Sequence, residues 1–251
     1  MLDGLLTLPV LLPVLFWAGY HYHKDRHLPE PPLNLLLCFF MGVGVSWFSA
    51  SLYELLGVVG LRYDAFALAE ESVVGLFLYA MLAIGPIEEL AKLLPFLIVA
   101  VRFRHFDEPI DGIVYASFIA LGYAAAENVQ YLQFLSPMEA VARGFAGPVV
   151  HILFASIWGH WIGMAWLEKR PLLPAAAIGF LLAAAAHGIY DFIVLLEPVN
   201  ALPVAALLIV AGWIWRLRLL HFLHLDAVEH GKRKKAGMRG GSAQDDVRSD
   251  D

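Results

Sequence analysis

The sequence is poor in charged residues, which make up 16% of its 251 positions, whereas a soluble globular domain carries about 25%. It also has a single cysteine, Cys38, so an internal disulfide is excluded. Hydrophobic residues account for 60% of the chain. Such a chain cannot cover a water-facing surface of ordinary polarity, so lipid must be one of its solvents. The composition therefore predicts an integral membrane protein and excludes an ordinary soluble domain.

Apolar runs alternate with short polar segments, a pattern typical of membrane-spanning helices of about 20 residues. We expect an all-α polytopic bundle of about seven spans, with six to eight as the limits. Residues 1–223 would form one transmembrane domain, and residues 224–251 a polar, disordered cytoplasmic tail. The predicted spans are 4–20, 34–58, 72–101, 111–134, 142–167, 174–196 and 199–219. The third contains Gly85-Pro86, which predicts either one kinked helix or a half-helix followed by a span.

Basic residues concentrate in alternate segments between the predicted spans, which indicates orientation in the membrane. The positive-inside rule places the N-terminus outside and the C-terminus in the cytoplasm. The basic run at 232–235 is interpreted as a topology determinant that contacts anionic lipid, and no nucleic-acid partner is predicted. The residues counted as cytoplasmic are Lys24, Arg26, Arg102, Arg104, Lys169, Arg170, Arg216 and Arg218. Arg62 and Arg143 are counted as outside.

Seven ionisable residues lie well inside the predicted spans. They are Glu88, Glu89, Lys92, Glu127, His151, His187 and Asp191. Each charged group at the centre of a membrane helix costs about 2.5–3.5 kcal/mol on insertion scales. Seven such residues would make membrane insertion strongly unfavourable unless they pair with one another. We therefore expect a functional cluster that faces a protein-lined or watery cavity.

Spacing and depth describe this cluster further. Glu88 and Lys92 are four residues apart and share a helix face, and Glu89 is turned about 100° away, so the two carboxylates should have different roles. His187 can likewise donate to Asp191. At 1.5 Å per residue, three groups on separate helices lie roughly 10–14 Å from the outer ends of their spans. These groups are Glu127, His151 and His187. Glu88 lies deeper, at about 24 Å, and joins them only if its helix begins above the membrane or is lifted by a kink.

Such a layer can activate water. A glutamate can take a proton from water and return it to a leaving amine, while a histidine donates to a developing oxyanion. Alternatively, a zinc ion could be held by ligands from separate helices, since the local HExxH signature is absent. The candidate ligands are Glu127, His151, His187 and Asp191. The residues leave both a divalent metal and a metal-free, glutamate-type mechanism open.

Five stretches of the sequence resemble the PrsW family of intramembrane proteases, related to the CAAX prenyl endopeptidase and bacteriocin-immunity (CPBP) superfamily. They are "KDRHLPEPP", "GPIEELAK", "GYAAAENVQY", "RGFAGPVVHILFASIWGHWIG" and "HGIYDF". The resemblance implies a site of Glu88, Glu89, Lys92, Glu127, Asn128, His151, His187 and Asp191. One departure is Tyr123, where the family usually has phenylalanine.

The resemblance also implies a partner and a location. The expected activity is site-one cleavage of a membrane-anchored protein, such as an anti-sigma factor, on its extracytoplasmic side. The expected location is the bacterial plasma membrane. Neither the family nor the residues fix the cofactor.

Two other functions fit buried ionisable residues. A proton- or ion-coupled transporter uses similar relays, although only one helix here has an obvious break, and inverted repeats would predict a matching second one. A non-catalytic membrane sensor or scaffold is the other alternative. Two smaller features have plain structural interpretations. His21, His23 and His27 are expected in a solvated loop, and Gly159 with Gly163 is expected to permit close helix packing.

Overall fold

The computed structural model describes residues 4–24, 29–132, 134–196 and 203–223. These residues form nine α-helices and, within those ranges, no β-strand. The fold is thus the predicted all-α bundle. The helices are α1 (Gly4–Lys24), α2 (Pro32–Val58), α3 (Ala65–Glu71), α4 (Val73–Tyr79), α5 (Gly85–Ile98), α6 (Asp111–Tyr131), α7 (Pro137–Leu167), α8 (Leu172–Leu195) and α9 (Pro203–Leu223).

Six helical segments are long and apolar enough to cross a membrane, and they coincide with the second to seventh predicted spans. The first predicted span corresponds to α1, a helix of 21 residues outside that set of six. The start of the last predicted span, at 199–202, and the predicted tail at 224–251 lie outside the described residues. The polytopic helical class is therefore confirmed.

The third span is one continuous helical run, Val73–Arg102, rather than two spans. Its backbone changes to a π-helical turn at Ala80–Ile84, between α4 and α5. Pro86, two residues after this turn, has no N–H to donate to the preceding turn, so a local change of helical geometry is expected here. Gly85 lies so close to α8 that an added Cβ would stand 2.3 Å from the Ala184 carbonyl oxygen. This contact brings the start of α5 against α8, where the site forms.

Helix α6 lies at the centre of the bundle, because 83% of its most apolar 18-residue segment is buried. Small residues let its neighbours approach closely. A Cβ added to Gly122 would lie 1.9 Å from the Phe39 carbonyl oxygen of α2. On the other side, a Cβ on Gly159 of α7 would lie 2.5 Å from the Gly112 carbonyl oxygen. The close packing predicted for Gly159 and Gly163 is therefore confirmed, because both glycines face Gly112.

Several residues assigned to loops from the sequence lie in helices instead. His21 is buried inside α1 rather than solvated, whereas His23 is exposed on the same helix and His27 lies outside the described residues. Arg216 is 1% exposed and points into the bundle from α9. Arg143 belongs to α7, which begins at Pro137 instead of residue 142. Ser136 and Glu139 form a capping box that starts α7 earlier than the apolar pattern indicates.

Candidate active site

Glu89 lies at the centre of the buried polar cluster and is fully enclosed. Its Oε1 accepts from Lys92 Nζ at 2.6 Å and from His187 Nδ1 at 2.7 Å. Its Oε2 accepts from the indole Nε1 of Trp158 at 2.9 Å. Sequence spacing placed Lys92 on the face of Glu88, but the lysine pairs with Glu89 three residues away. Glu89 is thus a carboxylate that accepts three hydrogen bonds, which suits an orienting role.

His187 stands between carboxylates. Its Nδ1 donates to Glu89, so this shorter contact assigns a proton to Nδ1. Its Nε2 lies 3.3 Å from Asp191 Oδ2 and 3.6 Å from Glu88 Oε2. The expected pairing of His187 with Asp191 is present, although Glu89 makes the closer contact. A carboxylate on one ring nitrogen fixes the orientation of the ring and directs the other nitrogen toward the reacting space.

His151 has the same arrangement on α7. Lys92 Nζ lies 3.0 Å from His151 Nδ1, and an ammonium group can only donate, so Nδ1 accepts. The proton is then on Nε2, which donates to Glu127 Oε2 at 2.8 Å. The ring centroids of His151 and His187 are 5.2 Å apart. Each histidine is therefore oriented by its own glutamate, His187 by Glu89 and His151 by Glu127. None of the sequence motifs shows these pairings by itself.

Glu127 connects this interior to the rim of the cluster. Its Oε1 forms an ion pair with Arg143 Nη2 at 3.0 Å, and the Arg143 guanidinium stacks 3.8 Å from the centre of the Tyr131 ring. The Glu127 side chain is 16% exposed and that of Arg143 is 34% exposed, whereas Glu89 and Lys92 are fully buried. The cluster thus opens toward the ends of α6 and α7 where these two side chains lie.

Glu88 differs from its neighbour in being poorly satisfied. It is 6% exposed, its Oε1 is 3.5 Å from the Tyr53 hydroxyl, and its Oε2 is buried without a hydrogen-bond partner. The 3.6 Å contact with His187 places Glu88 in the polar layer despite its greater depth by residue count. A buried carboxylate oxygen with no donor is costly, so it is the natural place for water, substrate or a cation.

The ligand atoms of Glu88, His151 and His187 all lie within 4.8 Å of one another. This group contains two of the four predicted metal ligands and adds Glu88. Glu127 and Asp191 do not belong to it, but each contacts one of its histidines. Two histidines and a glutamate form a donor set found in catalytic zinc sites. One contact does not fit a metal ion: the Lys92 ammonium group donates to His151 Nδ1, the nitrogen that would have to bind the ion.

Asn128 completes the predicted set. Its side chain is buried next to Gly147 of α7, and neither Nδ2 nor Oδ1 has a hydrogen-bond partner. A carboxamide offers both a donor and an acceptor, which match the peptide group of an extended substrate. The structure thus leaves its hydrogen-bonding capacity unused beside Glu127.

Sequence reasoning missed three residues of the cluster. Trp158 lies seven residues after His151 on the same face of α7, a spacing that could have indicated it. Arg143 lies about two turns before His151, and the Ser136–Glu139 capping signature would have placed it inside the helix. Tyr53 of α2 has no local signal, since only the packing of α2 brings it to Glu88.

A polytopic helical bundle that encloses carboxylates, histidines and a lysine in its apolar interior has the make-up of a membrane-embedded hydrolase. Comparisons with known proteins agree. Residues 30–216 match the model of the family described as PrsW family intramembrane metalloprotease. The chain therefore belongs to the PrsW family, and it is an intramembrane protease.

Several curated relatives carry the name Protease PrsW. The one from Clostridioides difficile is 30% identical over 202 residues, which cover 76% of this chain and 80% of the relative. Those from Geobacillus kaustophilus and Bacillus subtilis are 31% and 29% identical and cover 76% and 79% of the relatives' lengths. No solved structure gives a significant match.

Proposed function

We propose that Glu88, His151 and His187 form the reacting centre, and that the protein hydrolyses a peptide bond of a membrane-anchored protein there. The observation that carries this proposal is the unpartnered Glu88 Oε2, 3.6 Å from an imidazole nitrogen whose ring Glu89 orients. A carboxylate in this position can remove a proton from water as the oxygen attacks the carbonyl carbon. It then returns that proton to the amine as the C–N bond breaks.

The surrounding residues hold this centre in place. Glu89 and Glu127 fix the orientations of His187 and His151, and Lys92 links the two halves through Glu89 and His151. When His187 is protonated on both ring nitrogens, its Nε2–H can donate to the oxyanion that develops on the scissile carbonyl, while Nδ1–H stays bound to Glu89. Asn128 would bind the backbone of the substrate through its unused amide. Arg143 would keep the Glu127 carboxylate in place at the rim.

The donor set also fits a divalent metal. Zinc ligands lie about 2 Å from the ion, so three atoms within 4.8 Å of one another can meet one ion after shifts on the order of 1 Å. Glu88, His187 and His151 would hold it, with Glu89 and Glu127 as the carboxylates behind the histidines. A zinc ion bound there would polarise the carbonyl and acidify a water molecule. Lys92 would have to leave His151 Nδ1 for that nitrogen to serve as a ligand.

The finer assignments rest on the resemblance and on the sequence. We propose site-one cleavage on the extracytoplasmic side, with an anti-sigma factor as an example of the substrate, in a bacterial plasma membrane with the N-terminus outside. The depth of Glu127, His151 and His187 near the predicted outer ends of their spans supports this side. Kinship with the CAAX prenyl endopeptidase and CPBP superfamily is supported by the EExxK and HxxxD motifs and stays a prediction.

The test is cleavage of a single-span substrate by the purified full-length protein. Glu88→Gln should lower kcat/KM by about 100- to 10,000-fold, the range of general acid–base catalysis, and the exposed Glu70→Gln should leave it unchanged. Loss of activity with a chelator and its return with zinc would identify a metalloenzyme, whereas insensitivity would identify a glutamate-type enzyme. Undiminished cleavage by both Glu88→Gln and Glu89→Gln would contradict the proposal.

A further inference from the structure

A second buried polar cluster lies apart from the reacting centre, between α1, α6, α7 and α9. We call it the Arg216 cluster and define it by Arg216, His21, Trp17, Ser117 and Ser156. Arg216 Nε donates to Ser156 Oγ at 2.8 Å. Its Nη2 lies 2.9 Å from Ser117 Oγ and 3.2 Å from His21 Nδ1. The guanidinium therefore links four helices. It comes from a peripheral helix, since only 17% of the most apolar 18-residue segment of α9 is buried.

The positive charge of this cluster has no counter-charge among the described residues. The hydrogen-bond partners of Arg216 are two hydroxyl groups and an imidazole nitrogen that accepts, all of them neutral, and its Nη1 is buried without any partner. A long side chain near a helix end can usually extend to water instead. Arg216 is 1% exposed and does not. A buried cation without an anion is strongly unfavourable, so the cluster is incomplete as it stands.

The hydrogen-bond donors that remain unused point to the kind of group that is missing. Because Arg216 donates to His21 Nδ1, the proton of that ring is on Nε2, and Nε2 has no acceptor. Trp17 Nε1 is also buried without an acceptor. The Trp17 ring is 6.4 Å from the His21 ring, and both Trp17 and Arg216 contact Trp213. The cluster thus combines one net positive charge with three free N–H donors, which suits an acceptor-rich anion.

The position of the cluster indicates where such an anion would come from. Arg216 lies seven residues before the end of α9, or about 10 Å, and His21 lies three residues before the end of α1, or about 4.5 Å. Ser117 lies six residues after the start of α6. These three helix ends are on one side of the bundle, the side predicted to be cytoplasmic. Basic pockets between transmembrane helices on the cytoplasmic side can bind the headgroups of anionic lipids.

We propose that the Arg216 cluster binds the phosphate group of an anionic phospholipid that inserts between α1 and α9. The phosphate oxygens accept from Arg216 Nη1, His21 Nε2 and Trp17 Nε1, and the charge of the guanidinium is neutralised. The acyl chains lie along the lipid-facing surface of α9. This site is separate from the proposed reacting centre, because the hydrogen bonds and ring contacts of its members do not reach Glu88, Glu89, His151 or His187.

The test is the thermal stability of the purified full-length protein in an uncharged detergent. Added phosphatidylglycerol should raise Tm by about 5 °C or more, because a ligand that binds only the folded state stabilises it. Phosphatidylcholine and inorganic phosphate should raise it much less. Arg216→Met should abolish the response, and Arg218→Met, at an exposed position of the same helix, should retain it. Trp17→Phe keeps a ring and should weaken the apparent affinity about three- to tenfold.

Each alternative result has a definite meaning. The absence of a shift with phosphatidylglycerol would overturn the proposal. An equal shift with phosphatidylcholine or with phosphate alone would overturn the assignment to an anionic lipid. A full response in Arg216→Met would place the lipid elsewhere. If Arg216→Met does not fold, an unweakened response in Trp17→Phe serves as the contrary result.

Discussion

Two buried cations of this protein are embedded in opposite ways. Lys92 is fully enclosed and meets a carboxylate at 2.6 Å, whereas Arg216 is 1% exposed and meets two hydroxyl groups and an imidazole. The lysine belongs to a network that is rich in carboxylates, and one of them pairs with it directly. The arginine belongs to one in which donors outnumber acceptors.

The difference shows what each region requires from outside the chain. Lys92 is paired with Glu89, and close to this pair a carboxylate oxygen of Glu88 lacks a donor, which suits a water molecule, a substrate or a cation. Around Arg216 the unsatisfied atoms are N–H donors, which suit an anion. The same principle, that buried polar groups need partners, thus assigns opposite ligands to two sites in one bundle.

The largest effect should follow from breaking the matched pair. Lys92→Met leaves Glu89 buried without its ammonium partner, and removal of one member of a buried ion pair costs about 3–5 kcal/mol of unfolding free energy. The activity should be lost as well. Denaturant unfolding in detergent measures the first effect and substrate cleavage the second. The exposed Lys169→Met is the control and should change stability by less than about 0.5 kcal/mol.

A double variant separates the charge from the packing. Glu89→Gln combined with Lys92→Met removes both charges, so it should recover much of the stability lost in Lys92→Met without recovering cleavage. A double variant as unstable as the sum of the single variants would show that Lys92 and Glu89 are not coupled.

The next largest loss of stability should follow from removing the Trp158 N–H, which donates to Glu89. Trp158→Phe retains a ring that can pack against Phe96, whose centroid is 5.0 Å away, but it removes the indole N–H. A hydrogen bond to a charged group contributes about 1.5–3 kcal/mol, and the unfolding free energy should fall by that amount. Trp161→Phe, at an exposed position one turn further along α7, should have little effect. Equal losses in both variants would mean that ring size, and not the N–H, matters.

The sequence predicted which ionisable residues meet in the buried cluster around Glu89, because a charge within an apolar run is costly unless it finds a partner. Their catalytic roles stay a prediction. The pairing within the cluster was less predictable. Four-residue spacing favoured Glu88 as the partner of Lys92, yet three-residue spacing is also allowed on a helix, and Trp158 and His187 from other helices decide for Glu89. Spacing along the helix limits the possible partners of Lys92 to Glu88 and Glu89, and contacts with other helices determine that the partner is Glu89.

The Arg216 cluster was not predictable by the same reasoning. A basic residue near the end of a span is usually counted as a loop charge, since its long side chain can reach water. Nothing local distinguishes Arg216 from Arg218, two residues away and exposed. The distinction arises because α9 turns the face of Arg216 toward Ser117 and Ser156. The helix positions were predictable from hydropathy, but the rotation of a peripheral helix was not.

A smaller effect is expected at the rim of the reacting centre. The pair of Arg143 and Glu127 is partly exposed, so Arg143→Gln should change the unfolding free energy by about 1 kcal/mol or less. Cleavage should fall more, by about tenfold, because Glu127 loses the partner that fixes its position behind His151. Arg143→Lys should restore part of the activity by supplying a point charge. A loss of stability that accounts for the whole loss of cleavage would argue against an orienting role.

The smallest change in unfolding free energy should come from replacing Arg216, the buried cation without a carboxylate partner in the described part of the chain. Ser117 and Ser156 each donate to a carbonyl of their own helix, at Ile113 and Ile152, so their hydroxyl groups stay satisfied without Arg216. In detergent free of anionic lipid, Arg216→Met also removes an uncompensated charge. The net change in unfolding free energy should therefore be about 1 kcal/mol or less, far below that of Lys92→Met. Phosphatidylglycerol should widen the gap between wild type and Arg216→Met but leave the effect of Lys92→Met unchanged. A loss of 3–5 kcal/mol in Arg216→Met without lipid would show that the chain itself already neutralises this arginine.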